Sequence, residues 1–179
     1  KPWVVACDEP GDASHSLVTD AEDPSHDNAR MNGLWGCLLG GGGGNEWYFG
    51  YNHPHSDLTC QDCRSRDLFW DQCRIAMNFF RAHLPFAEME SADELSGTGN
   101  EYCFAKRGEI YALLRRPSSS PTLDLQAHTG QFEVRWFNPR RGGALQKGST
   151  ASIKGPGKAS LGNPPNQVHK DWVVLVTKR

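Results

Sequence analysis

The chain has 179 residues, with 19 Lys and Arg against 21 Asp and Glu and a formal net charge of −2. That balance excludes the basic footprint of a nucleic-acid binder and the polybasic face of a protein held on an anionic membrane, and no run of about 18 apolar residues exists to span a bilayer. The length allows one domain or two small ones, and six tryptophans suit either a core or the flat C–H faces of sugars.

Residues 2–7, Pro-Trp-Val-Val-Ala-Cys, make a short apolar run. A run without alternation fits a strand buried on both faces of a parallel sheet. Asp8-Glu9-Pro10-Gly11 closes it as a turn cluster, and a polar loop continues to His26. The first residues lack the charged and then apolar stretches of a signal peptide. A strand with no element before it reads as a chain that begins mid-fold, a processed or truncated piece.

Asp27 or Asn28 is placed to cap a helix running to about Leu39. Its apolar residues Met31, Leu34, Trp35, Leu38 and Leu39 recur at helical spacing. Five glycines, Gly40 to Gly44, end it. Residues 46–51, Glu-Trp-Tyr-Phe-Gly-Tyr, have strand-forming aromatics, and a loop with Asn52, His53, Pro54, His55 and Asp57 follows. Residues 66–84 read as a long helix with a stripe of Phe69, Cys73, Ala76, Phe80 and Leu84, stopped by Pro85. Strand, helix, strand, helix is the signature of a parallel α/β fold. Two such strands leave edges unpaired, so their partners are expected upstream of Lys1.

After about Ser91 the pattern becomes short strands: 102–106, 110–115, 123–126, 132–137, 151–154 and 172–177. Turn signals such as Asn138-Pro139 and Arg141-Gly142-Gly143 separate them. This spacing predicts an antiparallel sandwich, with Phe132, Val134 and Trp136 on one face and Glu133 and Arg135 on the other. The expected division is 1–92 and 93–179. Trp136 and Trp172 read as core, and Arg115, Arg116, Arg140 and Arg141 as solvated surface.

The six cysteines are Cys7, Cys37, Cys60, Cys63, Cys73 and Cys103. The even count leaves disulfides open, while Cys7 and Cys37 lie in apolar runs where a free thiol behaves as a small hydrophobe. Cys60-Gln-Asp-Cys63 stands near His53 and His55, but two Cys ligands alone do not make a zinc site.

Two blocks carry a resemblance. The first is Pro2-Trp3-Val4-Val5-Ala6-Cys7-Asp8-Glu9, Arg30 with Leu34-Trp35-Gly36, Asn45-Glu46-Trp47-Tyr48-Phe49-Gly50-Tyr51, Arg64-Ser65-Arg66-Asp67 and Leu84-Pro85-Phe86. It resembles the end of the barrel in apiosidase-like glycoside hydrolases. The second is Val134-Arg135-Trp136-Phe137-Asn138-Pro139-Arg140, Leu161-Gly162 and Asp171-Trp172-Val173. It resembles the C-terminal domain, named for collagen binding, that follows such barrels; the name is the family's and no residue here shows collagen affinity.

The resemblance implies the terminal strand-helix-strand-helix portion of a (β/α)8 barrel followed by a small antiparallel β-sandwich, with the N-terminal portion of the barrel missing. Barrel active sites lie at the C-terminal ends of strands, and the seventh strand of retaining relatives ends in the nucleophile, a place that Glu9 matches. Retaining hydrolysis uses two carboxylates about 5–5.5 Å apart and no metal or organic cofactor. The acid/base would come from the fourth strand, which this chain lacks, so the chain alone is expected not to turn over substrate. The residues by themselves leave Glu9 open between a nucleophile and an ordinary polar turn.

Tyr51 stands between a core rim and a sugar platform. Asn52, His53, His55 and Asp57 stand between a solvated loop and hydrogen-bonding partners for sugar hydroxyls. Asp12 and His15 are weaker candidates. Glu46 reads as a structural ion-pair partner, Trp47 and Phe49 as core, and Arg64, Arg66 and Asp67 as an anchor for the last helix. The expected function is part of a carbohydrate-active hydrolase for plant or algal/bacterial polysaccharide, extracellular or periplasmic, with a carbohydrate and neither nucleic acid nor membrane as partner. The alternatives are a non-catalytic polysaccharide- or matrix-binding module, and a metal-binding protein using His53, His55, Cys60 and Cys63.

Overall fold

The run Trp172-Val-Val-Leu-Val176 carries apolar side chains on both sides of one strand, and the architecture covers both. In the computed structural model, which describes residues 4–10, 17–51, 63–97 and 101–179, this run lies in the last of ten strands among the described residues. The strands are β1 (Cys7–Asp8), β2 (Asn45–Glu46), β3 (Glu90–Ser91), β4 (Tyr102–Lys106), β5 (Ile110–Arg115), β6 (Thr122–Asp124), β7 (Gly130–Phe137), β8 (Ser152–Gly155), β9 (Lys158–Ser160) and β10 (Trp172–Lys178). Six of them form an antiparallel sheet in the order β3-β4-β5-β10-β7-β8. Strand β10 lies inside it, with Val174 opposite Leu113 on one side and Trp136 on the other.

Successive side chains of a strand point to opposite faces, and here each face has its own core. One face carries Cys103, Leu113, Val134, Trp136, Trp172 and Val174. It is closed by Leu123 and Leu161 around the two-stranded antiparallel pair β6–β9. The opposite face carries Phe104, Leu114, Phe137, Val173 and Leu175 and meets a helical layer. That layer is a π-helical turn, Ala29–Trp35, running into α1 (Gly36–Leu39), together with α2 (Asp67–His83). Leu34, Trp35, Leu38 and Leu39 supply one side and Phe69, Ala76, Phe79 and Phe80 the other. The ring of Phe79 lies 5.5 Å from Trp35 and 4.7 Å from Phe137, so it touches helix and sheet at once.

The expected strand-helix-strand-helix portion of a barrel is overturned. The structure is mostly β-sheet with two α-helices, and the described residues form sheets without a barrel or strand-helix repeats. The runs read as buried parallel strands contribute two residues each, Cys7–Asp8 and Asn45–Glu46, which do pair in parallel. Val4 and Val5, expected inside a sheet, are 85% and 65% exposed. Trp47 and Phe49, beyond β2, pack against Phe69 and Trp70 of α2 rather than continuing a strand. Apolar composition specifies that a segment is to be covered, not that a second strand covers it, and here α2 lies across the antiparallel sheet.

The arginine reading is corrected as well. Arg115 is buried and donates through Nη1 to the carbonyls of Val168 and Lys170, at 2.6 and 2.9 Å, and through Nε to that of Ser119, at 2.9 Å. Arg140 packs over the Trp172 ring and donates to Asp171. Asp171, 1% exposed, accepts two parallel bonds of 2.9 Å from Nε and Nη2 of Arg30. Arg30 also donates to the Ser25 carbonyl and to Asp27. The planar fork of arginine suits such bidentate pairing, and it fixes the helical layer to the start of β10. Among the described residues no helix is long and apolar enough to cross a membrane.

Removing the ring shared by both layers leaves a cavity that neither can close alone. Phe79→Ala is expected to cost about 3–5 kcal/mol, read as a lowered midpoint in urea unfolding; a loss below about 1 kcal/mol contradicts the packing.

Candidate functional site

Strand β1 places Cys7 opposite Asn45 and Asp8 opposite Glu46, and Glu9 follows at its C-terminal end. Glu9 is exposed and holds φ +46°, with Pro10 after it. A left-handed backbone costs a non-glycine residue about 1–3 kcal/mol, and a following proline disfavours helical conformations further. The surroundings, not the preference of glutamate, therefore set the backbone here.

Next to Pro10 opens a cavity of about 380 Å³, within the roughly 300–1,000 Å³ of small-molecule sites. Trp47 is its aromatic wall, and Asp23, His26, Asn28 and Asn32 supply polar groups. Trp47 is held edge-on against Phe69, ring centres 4.5 Å apart, and a Cβ at Gly33 would lie 2.6 Å from its Cη2, so only glycine admits the indole there. Asn32 is fixed by Arg116 Nη2 donating to its Oδ1 at 2.6 Å, and its amide nitrogen donates to Asn28.

His26 is buried, with Nε2 2.7 Å from Asp20 Oδ1. The second Asp20 oxygen accepts the Leu68 N–H at 2.9 Å, capping the first turn of α2 from across the fold. Asp23 Oδ1 accepts from the backbone N–H groups of Ser25 and His26 and from the Ser25 hydroxyl. Burial works to raise the Asp23 carboxyl, but these bonds outweigh it and hold the group below its ordinary value. The cavity thus combines an aromatic wall with fixed polar side chains, the make-up of a small-molecule site.

The residues expected from sequence fall as follows. Glu9 adjoins the cavity through Pro10 rather than lining it. Tyr51 is 64% exposed and packs edge-on against Tyr48, ring centres 5.8 Å apart. Asn52, His53, His55 and Asp57 lie outside the described residues, as do Asp12, His15 and Cys60. Among the described residues no group of three His, Cys, Asp or Glu is placed to hold a metal ion. Sequence reasoning missed Asp20, Asp23, His26 and Asn32 and read Trp47 as core alone. The Asp23-Pro24-Ser25-His26 turn, with an Asx-type bond, was the available signal.

Residues 90–177 match the family model described as "Putative collagen-binding domain of a collagenase". No curated protein matches the chain. Among solved structures, one titled "Glycoside hydrolase" superposes with a TM-score of 0.61 at 11% identity, over 81% of this chain and 35% of that one. A glycoside hydrolase family 5 protein from Bacteroides vulgatus ATCC 8482 superposes with a TM-score of 0.65 at 11% identity, over 92% of this chain and 40% of that one. At this identity the likeness is one of fold, and the chain spans well under half the length of either structure.

Because Asp23 is more acidic folded than unfolded, its stabilisation is full above about pH 4 and is lost as pH falls through the lower folded value. Asp23→Asn is therefore expected to lower the urea midpoint near pH 7, with the gap to wild type shrinking as pH drops below about 3.8. A gap that stays constant with pH contradicts the assignment.

Proposed function

We propose that this chain is the C-terminal, carbohydrate-related part of a glycoside hydrolase, with Glu9 as the nucleophile beside the Trp47 cavity. The observation that carries the reading is the strained backbone of Glu9 at the end of β1, next to a cavity with an aromatic wall and fixed amide groups. Strained backbone in a folded protein concentrates where function dictates geometry. In this reading the Glu9 carboxylate attacks the anomeric carbon, a second carboxylate protonates the departing oxygen, and water then releases the sugar. Asp23 is not that acid, since its bonds keep it ionised. The acid/base belongs to a portion of the longer protein outside this chain, in keeping with solved structures of which it spans 35% and 40%. Isolated, the chain is inactive. Tyr51, Asn52, His53, His55 and Asp57 serve as substrate-binding residues in this reading. The parent is an apiosidase-like hydrolase acting on plant or algal/bacterial polysaccharide, and such polymers place the enzyme outside the cell or in the periplasm.

The match over residues 90–177 favours a second reading, a non-catalytic module that tethers its protein to polysaccharide or matrix. Retention of the full chain on insoluble polysaccharide or on collagen supports it; passage through both removes it.

Glu9→Gln in the full-length protein is expected to cut turnover by about 10³-fold or more, with circular dichroism unchanged. Unaltered turnover by a folded variant sinks the nucleophile assignment.

A further inference from the structure

We propose that Cys7 and Cys37 are a dithiol that closes to a disulfide by exchange with a small-molecule disulfide, pinning β1, and with it the backbone leading to Glu9, to α1. Both thiols are free in this structure. Cys7 is the first residue of β1 and Cys37 the second of α1. The Cys7 backbone N–H and the Cys37 thiol both donate to the Gly44 carbonyl, at 3.0 and 3.3 Å. This shared acceptor brings the Cys37 sulfur and the Cys7 backbone to one carbonyl oxygen.

The Cys37 thiol thus reaches the same carbonyl that binds the first residue of β1. A Cβ at Gly42 would lie 2.4 Å from it, so the glycine gives it room and its backbone fences that side. Both cysteines are half-buried and line one cavity of about 530 Å³ with Val5, Ala6 and Gly41, which gives a small reagent access to both. The other described thiols differ. Cys103 and Cys73 are held unreactive by burial, which pushes Cys73 up to about 12 and Cys103 well above its ordinary value. Cys63 is exposed.

The exchange is balanced as follows. One protein thiol loses its proton and its thiolate attacks a sulfur of RSSR. That S–S bond breaks, RS⁻ leaves and takes up a proton, and a mixed disulfide remains. The second protein thiolate attacks the mixed disulfide at the protein's sulfur, releasing another RSH. Two protein thiols are oxidised to one disulfide and RSSR is reduced to two RSH. Burial holds the Cys37 thiol up, against the opposing Cys7 N–H, so exchange accelerates as pH rises.

The test incubates the full chain with oxidised glutathione near pH 8 and maps peptides without reduction. The expected product is lighter by about two mass units. It contains a linked peptide pair joining Cys7 to Cys37, which persists in Cys60→Ser/Cys63→Ser and disappears in Cys7→Ser and in Cys37→Ser. Its thermal midpoint is several degrees above that of the reduced chain. Stable glutathione adducts on Cys7 or Cys37, a linkage from either to Cys60 or Cys63, or no linkage at all overturns the proposal.

Discussion

A carboxylate with 1% exposure is tolerated only where opposite charge and hydrogen bonds replace water, and Asp171 is such a group. Arg30 grips it with two parallel bonds, and Arg140 donates to both its side chain and its carbonyl. The cluster joins the π-helical turn to the residue before β10. Breaking a buried pair from one side costs about 3–5 kcal/mol, because the remaining charge stays stranded. A pair of this kind adds little net stability over an apolar substitute, but it fixes geometry. The Ala29–Leu39 helical segment has one orientation on the sheet that satisfies it.

That orientation reaches the candidate site through short steps. The same segment bears Asn32 and Gly33, which line the cavity, and Cys37, which lines a neighbouring cavity together with Cys7. Helix α2 supplies Phe69, which holds both Trp47 and His26 edge-on. Asp20 ties His26 to the first turn of α2. The site thus stands on the helical layer, while the family match covers the sheet beneath it. The proposed division of labour follows: chemistry at the helical layer and support, or tethering, from the sheet.

The sheet was the part legible in the sequence. Phe132, Val134 and Trp136 alternate with Glu133 and Arg135, and β7 follows that alternation. The stripe of residues 66–84 matches α2, because helical periodicity over five turns has few alternative readings. The 2–7 and 46–51 runs misled because they are short and uniformly apolar, a pattern that does not specify its cover. Arg140 and Arg115 misled because arginine is normally exposed, and burial shows only when a distant carboxylate or carbonyl arrives. His26 and Asp20 are six residues apart, and their link to Leu68 exists only in the folded chain.

Native-state hydrogen exchange on Asp171→Asn tests most directly whether this buried charge holds the helical layer to the sheet. Amides of the Ala29–Trp35 turn and of α2 are predicted to exchange about 10²-fold faster or more, the equivalent of roughly 3 kcal/mol. Protection of both helical segments equal to that of the wild-type chain would contradict it.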